Sequence, residues 1–345
     1  VNLADIPIDN IERIEVYKGF TPSAFAAAGA ESSVNIITRK DGGEPRMALS
    51  LGSFGTRRIY VAGGGTLGGG QLATSIGLRR TRGDFRYTDD NGTESFAGDD
   101  TRRRRENNDY RSLDLLATWR RDAADGSRLM LSENLFHKDE GLPGLGSNES
   151  SRANLRMTRN IASLGWESAG GGRRVELGLT YRRNRLSDPK SASEGVTGIG
   201  LPYDLATDTA VAVDTNGHWR KTLGPAHLLD IGMALAFERF RARYPGSSSS
   251  GNGRQQRLRG SVVLADELHL AGPGIDLIGQ LRHETLWNRF DGQALLPVVE
   301  DGDLPSSRDR STDARISLHW QARPSLSLKA NIATYFRPPS FSELF

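Results

Sequence analysis

Arg174-Val175-Glu176-Leu177-Gly178-Leu179-Thr180-Tyr181-Arg182 sets the architecture. Val175, Leu177, Leu179 and Tyr181 alternate with Arg174, Glu176, Gly178, Thr180 and Arg182. Successive side chains of a strand point to opposite faces, so this segment has one apolar and one polar face. The same period runs through Leu229–Glu238, Arg315–Gln321 and Leu326–Ala333. About thirteen such segments lie between Arg46 and Phe336, and helical stripes of comparable length are absent.

The connections alternate too. Short turns near 67–70, 122–126, 169–173, 223–226, 271–274 and 322–325 recur roughly every fifty residues. Between them lie long polar loops at 83–110, 138–159, 186–208, 242–256 and 289–311. A soluble sandwich has no reason to gather its long loops at one end. A barrel in an outer membrane does, with tight turns on one side and long loops on the other. Trp119, Trp166, Trp219 and Trp320 fall within about five residues of the next short turn, on the apolar parity. Trp287 stands at the opposite end of its strand. These five are the expected interfacial girdle.

Other classes fall away on composition and context. The longest uncharged run, Ile59–Leu78, contains seven glycines, and each costs a helix about 1 kcal/mol. With no cysteine, disulfide scaffolds and thiolate chemistry are excluded. A net charge of +3 without a basic helix or stripe is no nucleic-acid footprint. Gly63-x-Gly65-x-x-Gly68 matches a dinucleotide pattern, but an alternating strand follows where a helix is required. His283-Glu284 opens a zincin motif that Trp287 breaks. The histidines are scattered, so no metal site, cofactor or catalytic residue is expected. Ser132 and His137 share a strand, but their odd spacing puts them on opposite faces.

The two ends carry a family resemblance. Ile11-Glu12-Arg13-Ile14-Glu15-Val16-Tyr17-Lys18-Gly19, the small-residue stretch Pro22–Ala30 and Ser33-Val34-Asn35-Ile36-Ile37-Thr38-Arg39-Lys40 resemble the end of the plug of TonB-dependent outer-membrane receptors. Tyr335-Phe336-Arg337-Pro338-Pro339-Ser340-Phe341-Ser342-Glu343-Leu344-Phe345 resembles a barrel segment of the same family, and Gly141-Leu142-Pro143-Gly144 resembles its G-x-P-G loop element. Phe25-Ala26 and Ser32-Ser33 depart from the family's Tyr-Gly and Gly-Gly.

The resemblance implies an all-β chain: the end of a plug domain (1–42), then part of an antiparallel transmembrane β-barrel (43–345), open as it stands. The rest of the plug and the TonB-binding segment would precede Val1, and further strands would follow Phe345. It further implies a receptor in a Gram-negative outer membrane, coupled through TonB to active uptake of a scarce ligand, a ferric siderophore foremost. Cobalamin, other chelates or glycans are the alternatives within the family, and a passive porin-like channel is the alternative outside it. Membrane lipid and lipopolysaccharide are further implied partners. Phe85, Tyr87, Phe96 and Tyr110 flank Arg102-Arg103-Arg104-Arg105, and Tyr203 and Tyr244 lie in two other long loops. Arg forks pair with carboxylate oxygens, so these residues are the candidate surface for an anionic chelate. A Ca²⁺ site at Asp89-Asp90 and Asp99-Asp100 has too few oxygens to argue.

Overall fold

The computed structural model describes residues 11–18, 32–38, 44–93, 95–144, 149–190, 198–199, 204–245, 253–270, 274–291 and 306–336. Tyr203, the Pro22–Ala30 stretch and Arg337–Phe345 lie outside them. The two motif strands at the start pair with each other. β1 (Ile11–Lys18) runs antiparallel to β2 (Ser32–Thr38), with Ile14 opposite Ile36 and Val16 opposite Val34. Glu15 is the polar hub of this hairpin. It accepts from Tyr17 Oη at 2.8 Å, Arg13 Nε at 2.8 Å and Asn35 Nδ2 at 3.0 Å. Those bonds, Tyr17's first, hold its carboxyl below the usual range.

The rest follows in chain order. β3 (Arg46–Leu51), β4 (Arg57–Leu67) and β5 (Gly70–Thr81) precede a small hairpin, β6 (Arg86–Asp89) and β7 (Thr101–Arg104). Then come β8 (Tyr110–Asp122), β9 (Arg128–Gly141), β10 (Asn154–Glu167), β11 (Arg173–Ser187) and β12 (Leu205–Leu223). β13 (His227–Arg243), β14 (Arg254–Leu270), β15 (Ile275–Asp291), β16 (Ser307–Arg323) and β17 (Leu326–Ala333) complete the list. Thirteen of these form one antiparallel meander, β3 to β5 and β8 to β17, each beside its sequence neighbour. β5 pairs directly with β8, so the β6–β7 hairpin stands apart as its own sheet. β3 and β17 are the two ends of the sheet, which does not close.

One hydrogen-bonded row shows the register: Leu72, Trp119, Leu131, Leu164, Leu177, Thr215, Leu235, Gly260, Thr285, Arg310. On this face Leu131, Leu164 and Leu177 are 44%, 41% and 47% exposed. On the opposite face Asp114, Thr118, Arg159 and Glu284 are buried, crowded as on the inside of a curved sheet. A water-soluble β protein hides its leucines and shows its charges; here the order is inverted.

The strands outrun the sequence expectation. β9 reaches Gly141 and β10 starts at Asn154, so the 138–159 loop contracts to 142–153. The long-loop end also has one short connection, Gly52–Thr56 between β3 and β4, closed by Gly52 N–H to Thr56 O at 2.9 Å. At the other end Gly70 makes room for Trp119. A Cβ there would lie 2.6 Å from the indole ring, which donates Nε1–H to Leu67 O at 2.8 Å.

Candidate functional site

The candidate site gathers at the long-loop end, above β3 to β10. Its foundation is the Gly52–Thr56 turn. Phe54 adopts φ +57°, and its carbonyl accepts from Arg82 N–H at 3.0 Å and Gly83 N–H at 3.3 Å. Gly83 itself has φ +63°, and a Cβ on it would sit 2.1 Å from Asn108 O, so only glycine fits this neck. Asn108 Nδ2 closes it by donating to Gly83 O at 2.8 Å. The short turn and the long loop are thus one unit.

From that neck an aromatic stack rises. Phe54 and Phe85 meet edge to face at 6.0 Å, and Phe85 and Tyr87 at 6.2 Å. In the hairpin Tyr87 is opposite Arg103 and Asp89 is opposite Thr101. Arg105 N–H donates to Phe85 O at 2.8 Å, and the Arg105 guanidinium lies 5.4 Å above the Tyr87 ring. Such a stacked cation is worth roughly 0.5–2 kcal/mol.

A second loop supplies the counter-charge. Glu149 accepts from Tyr87 Oη and from Arg105 Nη1 at 2.8 Å, and lies 3.2 Å from Arg103 Nη1. Arg105 Nη2 also donates to Gly144 O, in the Gly141–Gly144 element. Asn107 Nδ2 points at three carbonyls of the same loop: Ala153 at 2.7 Å, Ser150 at 2.9 Å and Leu142 at 3.0 Å. Arg103 Nη1 binds Asp89 Oδ2 at 2.6 Å, which holds the Asp89 carboxyl below its ordinary value. The phenol of Tyr87 donates a hydrogen bond to Glu149, which stabilises its protonated form and raises its pKa above the ordinary value.

The four arginines therefore divide. Arg105 is 13% exposed and held by Glu149, a positioning role. Arg103 is shared between Asp89 and Glu149 yet half exposed. Arg104 is exposed beside Asp84 at 3.3 Å, and Arg102 is exposed with no ion pair among the described residues. Tyr110 stands lower, at the start of β8, under the Arg79 guanidinium at 5.4 Å. Tyr244 follows β13, five strands from β8, or about 24 Å around the sheet at ~4.8 Å per strand. Phe96 is exposed in the hairpin loop. The structure thus joins Phe85, Tyr87, Arg103 and Arg105, and adds Phe54, Asn107 and Glu149. The acidic pieces are used locally: Asp90 Oδ1 accepts from Gly92 N–H at 3.0 Å and Asp99 from Thr93 Oγ1 at 2.8 Å.

The model of the family described as TonB dependent receptor-like, beta-barrel, matches residues 64–345. The chain belongs to the TonB-dependent receptors. No curated protein matches the sequence. Among solved structures, the siderophore receptor PiuA from Acinetobacter baumannii is 12% identical with TM-score 0.65, over 93% of this chain and 54% of that one. The ferric-catecholate import receptor Fiu from E. coli K12, in its open form, is 14% identical with TM-score 0.66, over 96% and 60%. The copper transporter OprC is 13% identical with TM-score 0.70, over 98% and 52%. Likeness at such identity shows the fold. This receptor chain spans a little over half the length of those proteins.

The enzyme-like patterns dissolve in the receptor fold. Gly63 to Gly68 belong to β4 and its turn. His283 bonds Thr312 Oγ1 at 2.9 Å on the apolar face, whereas Glu284 pairs with Arg282 on the polar one.

Proposed function

We propose that residues 1–42 are the end of a plug and residues 43–345 part of the barrel of an outer-membrane receptor that takes up a scarce anionic ligand. A ferric siderophore is the leading candidate, with TonB as the coupling partner, membrane lipid around the barrel and lipopolysaccharide at its outer rim. The observation that carries the reading is the loop cluster itself. Arg105 and Glu149 brace an aromatic stack that leaves Arg102, Arg103 and Arg104 exposed on one hairpin at the mouth. Arginine forks beside aromatic faces suit carboxylate- or catecholate-bearing chelates.

The tryptophans support the membrane placement. Measured from the row through Trp119, Trp166 lies two residues beyond Leu164, Trp219 four beyond Thr215, and Trp320 ten beyond Arg310. That drift, at ~3.3 Å per residue and ~4.8 Å per strand, corresponds to a tilt of about 35–40°. Outer-membrane barrels tilt by about 35–45°. Trp287 lies twelve residues along β15 from Ile275, the partner of Trp320. At that tilt the two levels are about 30 Å apart, close to the hydrocarbon thickness. Four tryptophans thus share one level, and Trp287 stands alone at the other, a spacing that supports the girdle reading.

The test is uptake by the full-length parent. Cells grown under iron limitation should induce its transcript and accumulate radiolabelled iron from a siderophore panel in a TonB-dependent way. Neither induction nor uptake would overturn the siderophore assignment and move the search to cobalamin, other chelates and glycans.

A further inference from the structure

The membrane face of β9 and β10 carries a polar pair where lipid is expected. Glu133 shares its face with Leu129 and Leu131, 37% and 44% exposed, while Phe136 and Lys138 are buried on the other face. Its side chain accepts from Asn160 Nδ2, which stands on the same face of β10 as Leu164 and Trp166. Its row reads Gly63, Thr74, Ala117, Glu133, Ala162, Leu179. Beneath it runs the row of Leu72, Trp119, Leu131, Leu164 and Leu177. The small side chains of Ala117 and Ala162 leave a hollow of about 360 Å³ beside the carboxylate.

The depth of this pair limits what meets it. Glu133 is two residues above Leu131, the row partner of Trp119, and Asn160 is six residues above Trp166. At ~3.3 Å per residue and the tilt above, their backbones lie about 8 and 15 Å inside the Trp level, and their heads meet between. Lipid headgroups of neither leaflet lie there, and acyl chains offer no hydrogen bond. The intramolecular bond leaves the second Glu133 oxygen, the Asn160 carbonyl and its other N–H without partners among the described residues. Ionisable groups at such depth are costly, and small residues at a membrane interface let backbones approach.

We propose that this hollow is the contact face between two copies of the receptor. Every copy inserts in the same orientation, so a second copy presents its own acid–amide pair at the same depth. The pair is self-complementary: across a two-fold axis along the membrane normal, the free amide N–H of each Asn160 donates to the free Glu133 carboxyl oxygen of the other copy. The proposal rests on the membrane reading above.

The experiment uses the full-length parent in intact outer membranes, with any cysteine outside these residues replaced. Ala162→Cys is treated with a short thiol–thiol cross-linker, with Ile316→Cys as control. Ile316 faces the same way on β16, four residues above Trp320, at similar depth. The expected result is an adduct of twice the parent mass, at least fivefold more abundant for Ala162→Cys than for the control. Adding Glu133→Leu should cut it at least fivefold, and adding Glu133→Gln, which still hydrogen-bonds, should largely retain it. Equal yields at the two cysteines, no effect of Glu133→Leu, or an adduct of another mass overturns the proposal. A heat-modifiable folded band checks insertion of each variant. Its absence from all of them, the cysteine control included, overturns the membrane reading and this proposal with it.

Discussion

Replacing Asn107 dissects how the site is held. Its amide faces three carbonyls of the 142–153 loop, at 2.7 to 3.0 Å, and its own backbone sits at φ +49°. An amide has two N–H groups, so two hydrogen bonds are at stake, each worth about 1 kcal/mol net. Asn107→Gly keeps the left-handed backbone free of strain and loses only the bonds, about 2 kcal/mol. Asn107→Ala loses the bonds and adds the left-handed cost of a Cβ, a further ~1–2 kcal/mol. Hydrogen exchange reads this directly, because Leu142 N–H donates to Ala153 O and Ser150 N–H to Pro143 O inside that loop. At about 1.4 kcal/mol per tenfold, exchange of these two amides should rise ~30-fold in the glycine variant. In the alanine variant it should rise a few hundred-fold. Amides of Leu131 and Leu164 should not change. Equal effects of Gly and Ala would refute the backbone argument. Exchange within threefold of the parent in both would refute the clamp.

Four further outcomes are expected. Arg105→Lys keeps the charge but loses the fork to Glu149 and Gly144 and the stack on Tyr87, so trypsin cleavage after Arg103 and Arg104 should quicken at least fivefold. Asp89 has a folded pKa below its unfolded value of about 3.9, so its pairing with Arg103 stabilises the β6–β7 hairpin above that pH. Amide protection in the hairpin should stay flat from pH 9 to 5, then fall progressively below about pH 4; loss already near pH 6 would contradict the assignment. Gly70→Ala places a methyl against the Trp119 ring, so loss of the Leu67 bond should show as altered indole fluorescence, with the folded fraction measured alongside. Brominated lipids labelled near the headgroup should quench Trp166, Trp219 and Trp320 more than mid-chain labels do, with single-Trp variants reporting each.

The sheet was legible because period two is a property of the backbone. Val175 to Tyr181 and Leu229 to Phe237 announce their strands whatever their neighbours do. The β6–β7 hairpin was not legible: Arg86-Tyr87-Thr88-Asp89 is too short for a period and too polar to show a face. Nor was Glu149. It meets Arg105 across 44 positions of sequence, and only the register of β8, β9 and β10 brings them together. Arg102 to Arg105 read as one basic run, yet hairpin alternation assigns neighbours to opposite faces, so half of its members hold the loops. Phe54 carried a faint signal in Ser53-Phe54-Gly55, a turn whose residues have positive φ at both Phe54 and Gly55.

The row that starts at Leu72 and Trp119 ends at Thr285 and Arg310. At Trp119 it lies three residues from the short-turn end of β8; by Thr285 it is ten residues up β15. Hydrogen bonds wind around the wall like the thread of a screw. Each strand carries load along its covalent backbone, and the thread of hydrogen bonds spreads that load sideways. A load on the short-turn end of β8 therefore reaches the Arg–Tyr hairpin directly, and the upper end of β15 only by way of every strand between.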